Sequence, residues 1–202
     1  MTGGARRRLG PDERRTQLVD IGVELIRTQP LDLLTAGHIA ERAGVSKALV
    51  FHYFPSHRDL QAAVARATAA TMLASFQEVS GSSYPSIEAR VEAGIDAFLS
   101  FVEQQPQSYA SLASAAVSDE ALHRIFEDTR EGVTDIVMTH AGIAEPSPHI
   151  RAVVRGWIAL AERMITDFVA EPAMGRDELV RFLRQAAFAL FAEAVRPTPA
   201  EA

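Results

Sequence analysis

Cysteine is absent from the 202-residue chain, which excludes disulfides and thiolate metal sites. Long apolar runs are missing as well. The longest strictly apolar stretch, Ala186 to Ala192, falls far short of the roughly 20 residues that span a bilayer. Arg6, Arg7 and Arg8 are basic, but no apolar segment follows, so the N-terminus lacks the pattern of a signal peptide. These absences point to a cytoplasmic protein with no membrane partner. The sequence holds no G-x-S-x-G elbow, no phosphate-cradling glycine loop and no H-E-x-x-H pair, so nothing indicates an enzyme. His123, His140 and His149 are scattered without ligand spacing, and neither a metal nor a cofactor is expected.

Apolar residues make up 48% of the chain and charged residues 23%, ordinary values for a globular protein. The net charge of −6 argues at first against a nucleic-acid partner, but its distribution is uneven. Residues 1–60 hold nine Lys/Arg against seven Asp/Glu, whereas residues 61–202 hold eleven against nineteen. His38, His52 and His57 add latent positive charge to the first part. Such asymmetry hints at a nucleic-acid-facing end and a remainder employed differently.

The periodicity is helical throughout. Leu18, Ile21, Gly22, Leu25 and Ile26 recur with the spacing of an amphipathic helix. Gly10-Pro11 opens that helix and Gln29-Pro30 closes it. Thr35 caps a short helix ending at Ala43-Gly44, and Ser46 caps the next, which reaches Phe54. Ser56 with Asp59 resembles a capping box opening a longer helix. Farther on, Tyr84-Pro85, Ser118-Asp119-Glu120, Ser147-Pro148 and Gly175-Arg176-Asp177 mark breaks or starts. Sustained alternation and hairpin turns are lacking, so the fold class is all-α, with about nine helices in total.

The informative stretch is Thr35 to Tyr53, TAGHIAERAGVSKALVFHY, followed by FPSHRDL. Two short helices meet at Ala43-Gly44-Val45-Ser46, where glycine adopts a positive φ without side-chain cost. Ile39, Ala40, Ala43, Val45, Val50 and Phe54 are expected to form a small core. Ser46, Lys47, Leu49, His52 and Tyr53 are then left facing outward. A helix N-terminus bearing Ser and Lys suits DNA, because free N–H groups and the macrodipole favour a phosphate. Lys47 is the only lysine in the chain.

With Ile39-Ala40, Ala43-Gly44-Val45-Ser46-Lys47, Phe54, Ser56 and Leu60 in register, residues 12–60 resemble the DNA-binding domain of the TetR family. The remainder is similar only in length and helical character. The resemblance implies an N-terminal three-helix helix-turn-helix domain over residues 11–60, its motif at 35–54. A larger helical effector-binding and dimerisation domain would follow over 61–197, with flexible tails at 1–10 and 198–202. Thr35, Ser46, Lys47, Leu49, His52, Tyr53 and His57 are the candidate DNA contacts, and the resemblance gives Tyr53 a phosphate. Three residues depart from the family pattern. Ala48 replaces glycine and alters how closely the recognition helix approaches DNA. Phe51 replaces tyrosine and removes a hydroxyl. His57 replaces lysine, and a histidine of reference pKa ~6.5 is mostly uncharged at neutral pH. The Arg6–Arg8 tail is either merely solvated or a minor-groove arm.

In the C-terminal part, the apolar residues of 147–171 and 179–191 wrap beyond a single stripe, so these helices must be buried on more than one side. A partner subunit is the expected second burial, with a large monomeric core as the alternative, and the resemblance implies a homodimer joined through the last two helices as a four-helix bundle. It also implies an effector pocket, for which Phe98, Phe101, Tyr109, Phe126, Met138, Trp157, Met164 and Phe168 are the candidate lining. Glu162 and Arg163 are candidates to orient a polar end. An effector bound there would move the helix beginning at Ser56 as a lever. The expected function is a regulator, a repressor released from a palindromic double-stranded operator by a small, largely apolar effector. The alternative is a helical protein-interaction module whose helix-turn-helix no longer binds DNA.

Overall fold

The computed structural model describes residues 9–81, 83–143 and 145–194. Most of the two expected tails, including Arg6–Arg8, lies outside the described residues. Among those described there are nine α-helices, one 3-10 turn and no strand. The helices are α1 (Pro11–Ile26), α2 (Ala36–Ala43), α3 (Lys47–Tyr53), α4 (His57–Gly81), α5 (Ile87–Gln104), α6 (Pro106–Ser118), α7 (Glu120–His140), α8 (Pro148–Ala170) and α9 (Arg176–Ala194). The 3-10 turn, Leu31–Leu33, joins α1 to α2.

Local chemistry accounts for most of these boundaries. Pro11 occupies the first position of α1, where a missing N–H costs nothing, and Glu13 accepts from the Gly10 N–H at 2.8 Å. Thr35 caps α2 by accepting from the His38 N–H, and Ser46 caps α3 by accepting from the Leu49 N–H. Between them Gly44 has φ 65°, the left-handed conformation that ends α2 and makes the sharp turn. At the head of α4 the Ser56 N–H donates to Asp59 at 3.0 Å and the Asp59 N–H donates to Ser56 at 3.1 Å, a reciprocal box. Asp119 caps α7 by accepting from the Ala121 and Leu122 N–H groups, and Ser147 caps α8 by accepting from the Ile150 N–H. One break escaped sequence reading: α5 stops at Gln104 and Pro106 opens α6, so residues 87–118 form two helices.

Two apolar cores result. The first gathers Leu18 and Ile26 of α1, Ile39 of α2, Val50 of α3 and Leu60 with Val64 of α4. It continues into Leu112 and Ala116 of α6 and Leu122 and Ile125 of α7, so residue 60 is no boundary in the packing. The second joins α5, α8 and α9 through Ile95, Leu99, Ile165, Leu179 and Leu183. Polar clasps also tie the N-terminal helices to α6. The Ser108 hydroxyl donates to the Ile26 carbonyl at 2.5 Å, and Ser111 accepts from the Leu31 N–H at 2.5 Å. Gln61 of α4 donates to the Leu31 carbonyl at 3.1 Å. Among the described residues no helix is long and apolar enough to cross a membrane.

Candidate nucleic-acid interface and apolar cavity

Helix α3 divides sharply into two sides. Val50 and, at its C-terminal cap, Phe54 are buried, whereas Lys47, Ala48, Phe51 and His52 are exposed. Leu49 and Tyr53 are half-buried, and Tyr53 packs against the first core, so both stand less free than expected. The His52 ring meets Tyr53 edge-on at 5.3 Å, and His57 stacks on Phe51 at 5.9 Å and 12°. Phe51, which lacks the tyrosine hydroxyl, thus holds the imidazole that stands in the lysine position. Arg15 of α1 lies over the Phe54 ring, 5.1 Å from its centroid, and fixes the end of α3 from the other side.

Lys47 reaches back across the first turn of α2. A β-carbon on Gly37 would fall 2.9 Å from the Lys47 Cε, 3.2 Å from its Nζ and 3.5 Å from the Thr35 hydroxyl oxygen. The ammonium therefore sits over the half-buried first turn of α2, beside the Thr35 hydroxyl, which accepts from the His38 N–H and keeps its own proton to donate. Unpaired N–H groups, a hydroxyl and an ammonium converging in this way suit a phosphate oxygen. Sequence reading named Thr35 and Lys47 separately and missed Gly37. The available signal was a glycine inside a short helix, where it costs stability unless something passes close.

Behind this head lies an apolar cavity of about 280 Å³, lined from α4, α5, α6, α7, α8 and α9. Phe98, Phe101, Tyr109, Phe126, Met138 and Trp157 stand in its wall. Met164 and Phe168 do not; they are half-buried and pack against the second core instead. An aromatic row crosses the cavity side of four helices, Phe76 to Phe98 at 6.3 Å, Phe98 to Tyr109 at 5.5 Å and Tyr109 to Phe126 at 6.1 Å. It ends on a polar cluster. The Tyr109 hydroxyl donates to Glu162 at 2.7 Å, and Arg130 donates to both oxygens of Glu162 at 2.8 and 2.9 Å. Burial first, and the neighbouring Glu162 second, hold the Tyr109 phenol far above its ordinary range, so it stays protonated. Arg163 is turned away from the cluster to an exposed ion pair with Asp167. Trp157 closes one wall, its indole N–H donating to the Leu183 carbonyl of α9 at 3.0 Å.

A helix-turn-helix head whose recognition helix is exposed, carried on a helical body that holds an apolar cavity, defines a DNA-binding transcriptional regulator. Residues 18–64 match the family model of bacterial regulatory proteins of the tetR family. Residues 87–190, more than half of the chain, match the tetracyclin repressor-like C-terminal domain. The chain belongs to the TetR family of transcriptional regulators. It is 31% identical over 109 residues to the HTH-type transcriptional activator FasR of Mycolicibacterium smegmatis, a match covering 53% of this chain. The matched segment spans about half the length of that relative, 49%. Among solved structures, a tetR-family regulator from Streptomyces coelicolor is 26% identical with a TM-score of 0.79, covering 92% of this chain and 83% of that one. A TetR regulator from Rhodococcus sp. RHA1, 20% identical with a TM-score of 0.67 over 89% of this chain and 97% of that one, shares the fold.

Proposed function

We propose that this regulator is a homodimeric repressor, and that a small, largely apolar effector held in the cavity releases it from a palindromic operator. Residues 11–60 serve the operator, and residues 61–197 serve the effector and the second subunit. The observation that carries this reading is the double duty of α4. Its Leu60 and Val64 pack into the head, while Ala65, Thr68, Ala69, Met72 and Phe76 form cavity wall. A ligand that displaces α4 at one end must therefore move the head at the other. Such a ligand shifts the equilibrium only by its difference in affinity between the two arrangements. A coupling of ~1–3 kcal/mol corresponds to roughly 5–150-fold weaker operator binding.

The test uses Trp157, the only tryptophan, as the probe. An effector that enters the cavity is expected to quench or shift its emission and, over the same concentration range, to lower operator affinity measured by fluorescence anisotropy. Two curves with unrelated midpoints would separate the cavity from the switch. Trp157→Phe keeps a ring in the wall but removes the N–H bond to Leu183, and should weaken the coupling more than the fold.

On the DNA side, Lys47→Ala should weaken binding on every duplex alike. It should also flatten the slope of log affinity against log salt by about one unit, the signature of one lost phosphate contact. A change in preference at one base pair with the slope intact would instead make Lys47 a reader of bases. A second reading has one observation in its favour: the Mycolicibacterium smegmatis relative is named an activator. A promoter fused to a reporter, with and without this protein, distinguishes activation from repression by the sign of the change.

A further inference from the structure

The polar groups in the cavity wall share a property that bears on what the cavity accepts. Each residue already has a partner inside the protein, although the Nε of one, Arg90, is buried without an acceptor. The Thr68 and Thr129 hydroxyls donate back to their own helices, to the Val64 and Ile125 carbonyls. Tyr109 gives its proton to Glu162, and Arg130 spends three N–H groups on Glu162 and Glu127. Arg90, the other cation in the wall, is likewise engaged. Glu162 lies deepest of the charged trio, its side chain 15% exposed against 36% for both Arg130 and Glu127. It takes the Nε/Nη2 edge of the Arg130 guanidinium, while Nη1 is taken by Glu127.

Resting on the reading of the cavity as the effector site, we propose that it selects uncharged ligands, and that Glu162 is the residue that excludes anions. The class is a neutral, mainly hydrocarbon molecule bearing at most a hydroxyl or carbonyl. To reach the Arg130 guanidinium, an entering carboxylate or sulfonate would have to displace Glu162 and leave that carboxylate buried without its cation, which is strongly unfavourable, and the Arg90 Nε is itself buried away from the cavity space. A cation gains nothing either, because the Glu162 oxygens are already taken by Arg130 and Tyr109. What the wall does offer is contact area and the aromatic row from Phe76 to Phe126, which reward apolar and ring-bearing molecules without regard to charge.

Two dyes with one skeleton make the test, N-phenyl-1-naphthylamine and its sulfonate 8-anilino-1-naphthalenesulfonate. Binding is read by quenching of Trp157, which reports the cavity rather than the outer surface. The neutral dye is expected to bind the full-length protein at least about tenfold more tightly than the sulfonate. In E162Q the freed guanidinium edge should raise sulfonate affinity by about tenfold or more, with neutral-dye affinity nearly unchanged. R130Q/E162Q removes the cation too, and should lose that gain. Equal binding of both dyes by the unaltered protein would overturn the selectivity while leaving the cavity a ligand site. A folded E162Q with unchanged sulfonate affinity would overturn the role of Glu162. If neither dye quenches Trp157 in any of the three proteins, the underlying cavity reading is overturned as well.

Discussion

Phe182→Asp is expected to turn a dimer into monomers and to lower operator affinity by about 10²–10⁴-fold, the size of effect that comes from losing a second linked contact. Phe182 projects from α9 with 47% of its surface exposed, Leu190 follows on the same helix at 42%, and Leu160 of α8 is 37% exposed. Small residues flank them, with Gly156 and Ala159 on α8 and Ala189 on α9 all open to solvent. Leu179, Val180 and Leu183 meanwhile turn inward. Each helix thus has two apolar sides and only one is covered within the chain, which suits close approach by a second copy across a two-fold axis. A carboxylate at the centre of that seam would be desolvated without a partner. In the isolated chain the position faces solvent, so the variant should fold. Sedimentation at micromolar concentration should then give one chain of 21.9 kDa rather than two. A dimer that survives the substitution would place the interface elsewhere. Phe188→Asp makes the contrast, because Phe188 lines the cavity and its loss should disturb ligand binding or folding before assembly.

That contrast shows where sequence reading stops. From residues 179–191 alone one sees that α9 is apolar on more than one side. Which apolar side chain meets the cavity, which the core and which a partner depends on how α9 is rolled against α5 and α8. Part of that roll comes from ion pairs between positions far apart in sequence, Arg176 with Asp96 at 2.6 Å and Arg184 with Glu92 at 3.2 Å. Helix starts were legible because their causes are local: Thr35, Ser46, Ser56, Asp119 and Ser147 each satisfy an N–H within three residues. The break at Gln105-Pro106 was missed although Pro106, within the polar stretch Glu103–Ser108, supplied a local signal. Thr35, Lys47 and Gly37 come together only when α2 and α3 fold against each other. The same holds for the cavity. Tyr109, Arg130 and Glu162 lie on three helices, and the charge balance of their cluster has no signature in the order of residues. Met164 and Phe168 share the helix and the chemistry of Trp157, and only the helix phase excludes them from the wall.

Gly22→Ala should destabilise the protein, against the usual gain of replacing a glycine inside a helix. Intrinsic propensity alone favours alanine there by roughly 1 kcal/mol. In α1, however, a β-carbon on Gly22 would stand 2.4 Å from the Val64 Cγ2 of α4 and 3.4 Å from the Ile39 Cδ1 of α2. Val64 and Ile39 are both fully buried, so neither methyl has room to retreat. The helices must move apart, and overpacking of this kind costs about 1–3 kcal/mol. The melting midpoint should fall by roughly 2–4 °C for each kcal/mol of net loss in a chain of this size. Gly94 supplies the comparison: nothing lies within 4 Å of its ideal β-carbon in the middle of α5, so Gly94→Ala should raise the midpoint. Because Val64 is one residue from the cavity wall at Ala65, pushing α4 away from α1 should also weaken the coupling between effector and operator. Removing the obstacle from the other side is the decisive arm. Val64→Ala alone opens a void and destabilises, but combined with Gly22→Ala it should recover part of the loss, with an interaction energy of about 0.5–3 kcal/mol. Strict additivity of the two changes, or a midpoint that rises in Gly22→Ala alone, would mean that α1 and α4 do not meet at this glycine.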